Sequence, residues 1–188
     1  MEDLEYCLGA ASPAEGKEII TSLSPAGLRC TGEAGDCPQF LRTVRKFQPQ
    51  VTILSLELKG DVLETASIID QESLAALLLV TRENTESTFY QKMKQQFPYI
   101  QELPVESNVL LTAIKVLYLE HLRRKQLNEE LHNLRSRLQA RTVIERAKGV
   151  VMKELSLDEQ SAYRFMQKKS MDLRLPLKDY AERLLKTM

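Results

Sequence analysis

The cysteine, histidine and carboxylate side chains of this sequence could take part in catalysis, but their spacing along the chain predicts no reactive site. The cysteines Cys7, Cys30 and Cys37 are odd in number and lack a close Cys-x-x-Cys pair, so we expect reduced thiols. The histidines His121 and His132 lie eleven residues apart, which is not a metal-ligand spacing. No paired carboxylates at a useful spacing, Cys/His pair or phosphate-binding glycine loop occurs. The sequence therefore predicts no enzymatic activity, no metal and no cofactor.

Cationic side chains are concentrated in one half of the chain. Residues 1–106 carry 9 Lys and Arg against 16 Asp and Glu, a net charge of −7, whereas residues 107–188 carry 17 against 10, a net charge of +7. Such asymmetry indicates a nucleic-acid partner for the basic half. Two complementary surfaces that dock on each other would produce the same division. Charge alone leaves both interpretations open.

The overall composition is that of a chain able to bury a core. Of 188 residues, 43% are hydrophobic and 28% are charged. No apolar run approaches the roughly 18 residues of a membrane span. The acidic start, with Glu2, Asp3 and Glu5, argues against a signal or transit peptide. We expect a cytoplasmic protein without a membrane partner.

Strand and helix signals alternate through the first half of the chain. Helical patterns, the last of them over residues 86–97, separate five strand candidates at residues 4–10, 28–31, 51–56, 74–81 and 99–103. The third and fourth candidates are almost continuously apolar, which is typical of strands buried on both faces. This alternation predicts a doubly wound α/β domain with a parallel sheet over residues 1–106.

A long helix is predicted next, because the stretch from residue 107 to residue 142 contains neither Pro nor Gly. An apolar stripe repeats in it at spacings of four, three and four, at Leu127, Leu131, Leu134 and Leu138. This heptad-like seam predicts a coiled-coil-like linker over residues 107–140 through which two copies form a homodimer. A helix packed on its own domain is the alternative.

Three short amphipathic patterns close the chain. The end of the long helix has an apolar face made by Ile144, Ala147, Val151 and Leu155. Ser156 to Glu159 has the pattern of a capping box that opens a second helix, and Pro176 suits the first turn of a third. Residues 141–188 are therefore predicted to form a three-helix bundle. Gly149 in mid-helix predicts close approach of a neighbour, with a crossing helix favoured over a phosphate backbone.

The polar positions of this predicted bundle are mostly basic. They are Arg141, Arg146, Lys148, Lys153, Arg164, Lys168, Lys169, Arg174 and Lys178. A basic surface on a small bundle suits contacts with phosphates. A solvated, lysine-rich face is the alternative.

Residues 141–188 also carry a family motif in unbroken spacing: Ile144, Ala147-Lys148-Gly149 with Met152, residues 156–162, Met171-Asp172 and residues 181–185. The stretch resembles the ANTAR domain, the three-helix RNA-binding module of the AmiR and NasT transcription antitermination regulators. The resemblance implies binding to paired hairpins in leader RNA, which prevents a terminator from forming. It implies RNA contacts at Arg141, Lys148, Lys153 and Arg174. Tyr163 is a candidate for stacking on a base, and a partly buried tyrosine is the simpler expectation.

The first half resembles a response-regulator receiver domain in element order. Receivers bind Mg²⁺ through an acidic pair after the first strand. They are phosphorylated on an aspartate at the end of the third strand. A lysine precedes the proline that follows their fifth strand. Here residues 9–12 include no carboxylate, Ser55 stands at the phosphoacceptor position, and Leu103 replaces the lysine. Only Thr81, which ends the fourth strand, fits the pattern. The resemblance implies a pseudo-receiver controlled by protein contact, for instance with a ligand-sensing regulatory protein.

The sequence thus predicts a dimeric RNA-binding antiterminator. Two alternatives remain: a pseudo-receiver scaffold whose helical tail binds proteins, and a response regulator that binds DNA.

Overall fold

The computed structural model describes residues 4–82, 87–97 and 99–187. The chain divides into two compact units, Met1–Lys125 and Gln126–Met188, and one long helix contributes to both. The predicted domain boundaries, 1–106, 107–140 and 141–188, stay predictions. Glu86, the expected start of a helix, and Met188 lie outside the described residues.

The first unit is built on a five-stranded parallel sheet in the order β2-β1-β3-β4-β5. The elements up to the long helix are β1 Glu5–Gly9, α1 Pro13–Leu23, β2 Arg29–Ala34, α2 Cys37–Phe47, β3 Val51–Ser55, α3 Val62–Gln71, β4 Ala76–Thr81, α4 Thr88–Gln96, β5 Ile100–Glu102 and α5 Ser107–Leu155. The predicted doubly wound α/β fold is confirmed.

The central strand β3 explains the apolar run in the sequence, because all five of its residues are buried. Its neighbours are β1 and β4, and Val51 is in register with Tyr6 on one side and Ala76 on the other. Helices cover both faces, so no position of β3 reaches solvent. This register brings the carboxyl ends of β1, β3 and β4 to one edge of the sheet.

A side-chain oxygen caps each of the first four helices of this unit. The caps are Ser12 for α1, Asp36 for α2, Asp61 for α3 and Ser87 for α4, each accepting from the backbone N–H three residues later. Such caps stabilise a helix start by about 1 kcal/mol each. They determine where each helix begins, and therefore which side chains face the edge of the sheet.

The second unit is a three-helix bundle, as predicted. Its helices are the end of α5, α6 Glu159–Asp172 and α7 Leu177–Thr187. The core consists of Ala147, Val151, Ala162, Met166 and Ala181, all at most 1% exposed. Since three of these five residues are alanines, the helices approach closely.

The expected capping box at Ser156 and Glu159 is wrong. Ser156 has a φ of 53°, in the left-handed region, and ends α5 in a turn where the Leu157 N–H donates to the Met152 carbonyl at 3.2 Å. The N-cap of α6 is Asp158, which accepts from the Ser161 N–H at 2.9 Å. Glu159 turns instead to Lys148, so a tertiary ion pair overrides the local pattern.

Two other expectations about the bundle are also wrong. Leu155, predicted to face the core, is 46% exposed. A Cβ added at Gly149 would meet nothing within 4 Å apart from its own helix, so no crossing helix requires glycine there.

The leucine seam of α5 faces solvent. Leu127, Leu131, Leu134 and Leu138 are between 49% and 65% exposed. The alternative, a helix packed on its own domain, is correct for the first turns of α5, where Leu110, Ile114 and Leu117 belong to the core of the first unit, and not for the seam. Among the described residues, no helix combines the length and apolarity needed to cross a membrane.

Candidate functional site

The carboxyl edge of the sheet holds a polar network around Ser55. The Ser55 side chain is fully buried, and its hydroxyl oxygen lies 3.0 Å from Glu15 Oε1 and 2.9 Å from Glu57 Oε2. Sequence reasoning found no carboxylate at the end of β1. The fold supplies one from the first turn of α1 instead.

Glu15 reaches this position because of how α1 begins. Ser12 caps the helix by accepting from the Glu15 N–H at 3.3 Å, and Glu15 Oε2 accepts from the Ala11 N–H at 2.6 Å. This is close to the reciprocal pairing of a capping box, with the glutamate reaching one residue further back. The Ser-Pro-Ala-Glu pattern at residues 12–15 was the signal that could have revealed it.

Glu57 joins the ends of β3 and β4. Its Oε1 accepts from the Thr81 hydroxyl and from the Arg82 backbone N–H, the latter at 3.2 Å. The Arg82 guanidinium forms an ion pair with Glu18. The hydroxyl and N–H donors named here are thus engaged by the protein's own carboxylates, and Leu103, in the lysine position, packs against the hydrophobic core.

The end of β3, where receivers carry their phosphoacceptor, has a serine and not a carboxylate. An acyl phosphate forms on a carboxylate, and the residue at the end of β3 is a serine with a single proton to donate. Within the described residues, no cluster of three or more His, Cys, Asp or Glu could hold a metal ion. The arrangement is a hydrogen-bonded link between β1, β3 and β4.

The cysteines show no sign of a reactive site. All three are free thiols, and Cys7 and Cys37 are buried. Burial is the main cause that raises the pKa of each thiol, which keeps it protonated near neutral pH.

Three of the four predicted RNA contacts present their charge to solvent. Arg141 and Lys153 lie on exposed positions of α5, and Arg174 is exposed after α6. Arg174 has a φ of 52°, and its N–H donates to the Met171 carbonyl at 3.0 Å while the Leu175 N–H donates to the Ser170 carbonyl at 2.9 Å. This Schellman turn fixes Arg174 at the corner between α6 and α7.

The fourth predicted contact, Lys148, is different. Its side chain is only 10% exposed, and Nζ lies 2.5 Å from Glu145 Oε2 and 2.7 Å from Glu159 Oε1. Hydrogen bonds to Glu145 and then to Glu159 raise the pKa of Lys148, which keeps it charged. The cation is already neutralised by two carboxylates and links α5 to the start of α6. Its predicted contact with RNA stays a prediction.

Known proteins resemble this chain in both units. The ANTAR domain family model matches residues 132–185. Over 172 residues the chain is 24% identical to the transcriptional regulatory protein PdtaR of Mycobacterium tuberculosis, covering 91% of this chain and 84% of that protein. The chain therefore carries an ANTAR domain over residues 132–185 and is similar to a transcriptional regulatory protein over most of its length.

Solved structures confirm the fold of the first unit. The signal receiver domain of a modulated diguanylate cyclase from Desulfovibrio desulfuricans G20 matches with a TM-score of 0.58 at 14% identity, over 64% of this chain and 97% of that one. The RcsB response regulator of Salmonella typhimurium, whose structure was described in connection with DNA interaction, matches with a TM-score of 0.54 at 16% identity, over 98% of this chain and 99% of that one. The chain therefore has a receiver-like fold that precedes the ANTAR domain in the sequence.

Proposed function

We propose that this protein is an RNA-binding transcription antiterminator that catalyses no reaction. The observation that carries the proposal is the set of exposed cations on the ANTAR bundle. The side chains of Arg141, Lys153 and Arg174 make no hydrogen bond or ion pair within the described part of the chain, and the backbone of Arg174 is held in place by its turn. Cations without internal partners are those that neutralise phosphates and release counterions on binding.

The resemblance to ANTAR regulators favours hairpins in leader RNA as the target. Proteins that read RNA sequence mostly bind single-stranded loops, whose bases are accessible. Lys148 then acts as a positioning residue, because its ion pairs hold α6 against α5. Arg141, Lys153 and Arg174 supply the contacts to RNA.

A second copy of this chain is the proposed partner of the leucine seam. The four leucines repeat at coiled-coil spacing and are exposed, and polar side chains flank them. In a parallel pair, Glu130 of one copy stands at a flanking position opposite Arg135 of the other, which favours pairing. A dimer formed in this way has two bundles, one for each hairpin of a two-hairpin target.

Control by protein contact, rather than by phosphate, is the proposed role of the first unit. The network around Ser55 supports this, since its donors are engaged internally and a serine, not a carboxylate, stands at the phosphoacceptor position. A ligand-sensing regulatory protein in the cytoplasm is the expected partner. Acetyl phosphate with Mg²⁺ should leave the purified protein unmodified, as checked by intact mass, and stoichiometric addition of phosphate would contradict this proposal.

The decisive test measures binding to an RNA with two tandem stem-loops over a range of salt concentrations. The double variant Arg141→Glu/Arg174→Glu should bind about 10- to 100-fold more weakly. Its affinity should also depend less steeply on salt. The slope of log association constant against log salt concentration should be smaller in magnitude by about 1.5, because two phosphate contacts are lost. Lys148→Glu is unsuitable, because it would place a third carboxylate beside Glu145 and Glu159.

The matched control is Lys59→Glu/Lys92→Glu, which changes the net charge equally at exposed lysines of the first unit. Equal losses in the two double variants would mean that only total charge matters, and would sink the assignment of the bundle as the interface.

DNA binding is a second candidate, because the RcsB match extends over 98% of this chain. Duplex DNA is therefore the competing ligand in the same titration. Tighter binding to duplex DNA than to the two-hairpin RNA would favour it. Absence of binding to either nucleic acid would leave the scaffold alternative.

A further inference from the structure

The outer face of α6 has a composition unlike the rest of the second unit. Ala162, Met166 and Ser170 face the core at intervals of four residues. The opposite side is exposed and consists of Gln160, Tyr163, Arg164, Gln167 and Lys168. Between Gln160 and Met171 the helix contains no acidic residue. We call these five exposed residues the α6 outer face.

Tyr163 stands at the middle of this face with an unengaged ring. Its side chain is 39% exposed, and its hydroxyl makes no hydrogen bond to any residue that the structure describes. The other two aromatic residues of the second unit are used internally. Phe165 packs on the core beneath Lys169, whose Nζ lies 6.0 Å from the ring centre, and Tyr180 packs against the same core.

The neighbours of Tyr163 suit a nucleic-acid base. Gln160 and Gln167 lie three residues before and four residues after it, so they flank it on the same side of the helix. Their amides make no hydrogen bond within the described part of the chain, and an amide offers both a donor and an acceptor to a base edge. Arg164 and Lys168 add positive charge on either side of the ring.

The acids nearest to Tyr163 along the chain, Asp158 and Glu159, are both engaged within the protein. Glu159 lies four residues before Tyr163 and pairs with Lys148. Asp158 precedes α6, and its carboxylate is engaged as the N-cap by the Ser161 N–H. Hydrogen bonds from Ser161 lower its pKa, and the charge of Arg164 contributes to the same shift. The exposed part of the helix is therefore net cationic.

We propose that the α6 outer face is a site for an unpaired RNA base, with Tyr163 as the stacking platform. Gln160 and Gln167 hydrogen-bond the base edge, and Arg164 and Lys168 neutralise the flanking phosphates. This inference rests on the proposed function. It adds a surface that distinguishes an RNA loop from a stem, which the cations Arg141, Lys153 and Arg174 do not provide. A fully paired duplex keeps its bases stacked on each other, so Tyr163 selects single-stranded loops.

The test uses a pool of RNAs, each with two stem-loops of constant stem and randomised loops, from which the wild-type protein selects its best binder. Tyr163→Leu should bind the selected RNA about 10- to 100-fold more weakly, the loss expected for one stacked base. Tyr163→Phe should bind within about threefold of wild type, since the ring is retained. A fluorescent purine in the loop should be quenched by wild type and by Tyr163→Phe, and not by Tyr163→Leu.

Two controls keep the outcome unambiguous. Tyr99→Leu removes an exposed tyrosine from the first unit and should leave RNA binding unchanged. A stem-only duplex RNA should be bound equally by wild type and Tyr163→Leu, because no base there is free to stack. Thermal unfolding establishes that each variant is folded.

The outcomes separate this inference from the proposed function. Unchanged affinity and loop preference in Tyr163→Leu, with weakened binding in Arg141→Glu/Arg174→Glu, would overturn the stacking site and leave the antiterminator assignment standing. An equal loss on stem-only RNA would also overturn it. A wild-type protein that enriches no loop and binds no RNA would remove the proposed function itself.

Discussion

Polar side chains are arranged in opposite ways at the sheet edge of the first unit and on the surface of the second. Around Ser55, hydroxyl and N–H donors meet carboxylates of the same chain. On the bundle, Arg141, Lys153 and Arg174 have no internal partner among the described residues. Side chains satisfied internally stabilise the fold, whereas those left unsatisfied at the surface are available to a ligand. This difference is the reason that we propose the second unit as the region that binds a ligand.

Lys148 shows that the same distinction operates within the bundle itself. It belongs to the family motif, yet two carboxylates neutralise it, whereas the side chains of Arg141 and Lys153 on the same helix have no ion-pair partner among the described residues. Membership in a motif therefore does not separate a ligand contact from a structural contact.

Removing a carboxylate from the sheet edge should affect stability and not RNA binding. Glu15→Ala removes one of the two carboxylates at the Ser55 hydroxyl and leaves the Ala11 N–H without its carboxylate acceptor, which should lower the free energy of unfolding by about 1–3 kcal/mol. Glu15→Gln should cost less, because its amide oxygen still accepts. Urea denaturation measures the change, and titration with the two-hairpin RNA is the check on function. Weaker RNA binding by a folded Glu15→Ala would break the division between the two regions.

Glycine at the two left-handed positions of the bundle should separate stability from binding. Ser156 and Arg174 both have a φ near 50°. Relief of this conformation should raise stability by about 1 kcal/mol in Ser156→Gly and in Arg174→Gly.

Only Arg174→Gly should weaken RNA binding, because only it removes a free cation. Thermal unfolding and the RNA titration on the same two proteins provide the measurements. Equal RNA affinity in the two variants would place Arg174 outside the interface.

Gly149→Ala should stabilise the second unit by up to about 1 kcal/mol, since alanine is the better helix former. The added methyl group would meet nothing within 4 Å beyond its own helix, so no neighbouring helix opposes it. Thermal unfolding checks this expectation. A destabilised variant would show that a contact within the bundle requires glycine.

The smallest effect should come from the titration of Lys148. Its pKa is raised in the folded state, so its stabilising contribution is complete below the unfolded pKa and is lost as the pH rises through the folded value. The partners Glu145 and Glu159 are more than half exposed, and solvent screening keeps the effect small. Melting temperatures of wild type and Lys148→Met should differ more at neutral pH than in strong alkali. A difference that grows with rising pH would contradict the assigned ion pairs.

Several elements could be predicted because their signals are local. The apolar runs that became β3 and β4, the caps of α1 and α2, and the apolar faces of α6 and α7 all follow from periodicity and from residue types at helix ends. The cap of α6 was predicted wrongly, because Ser156 and Asp158 are both suitable capping residues by type. Glu159, the other half of the expected capping box, pairs with Lys148 on another helix.

The amino-acid sequence by itself determined the order of strands and helices, the basic character of the C-terminal bundle, its family, and the absence of a phosphoacceptor carboxylate at Ser55. Those properties depend on residue type and spacing along the chain. The tertiary structure alone decided that Glu15 and Glu57 converge on Ser55, that Lys148 is buried between two carboxylates, and that Arg141, Lys153, Arg174 and the α6 outer face stay open. Each of these depends on groups distant in sequence, which become neighbours only when helices and strands pack.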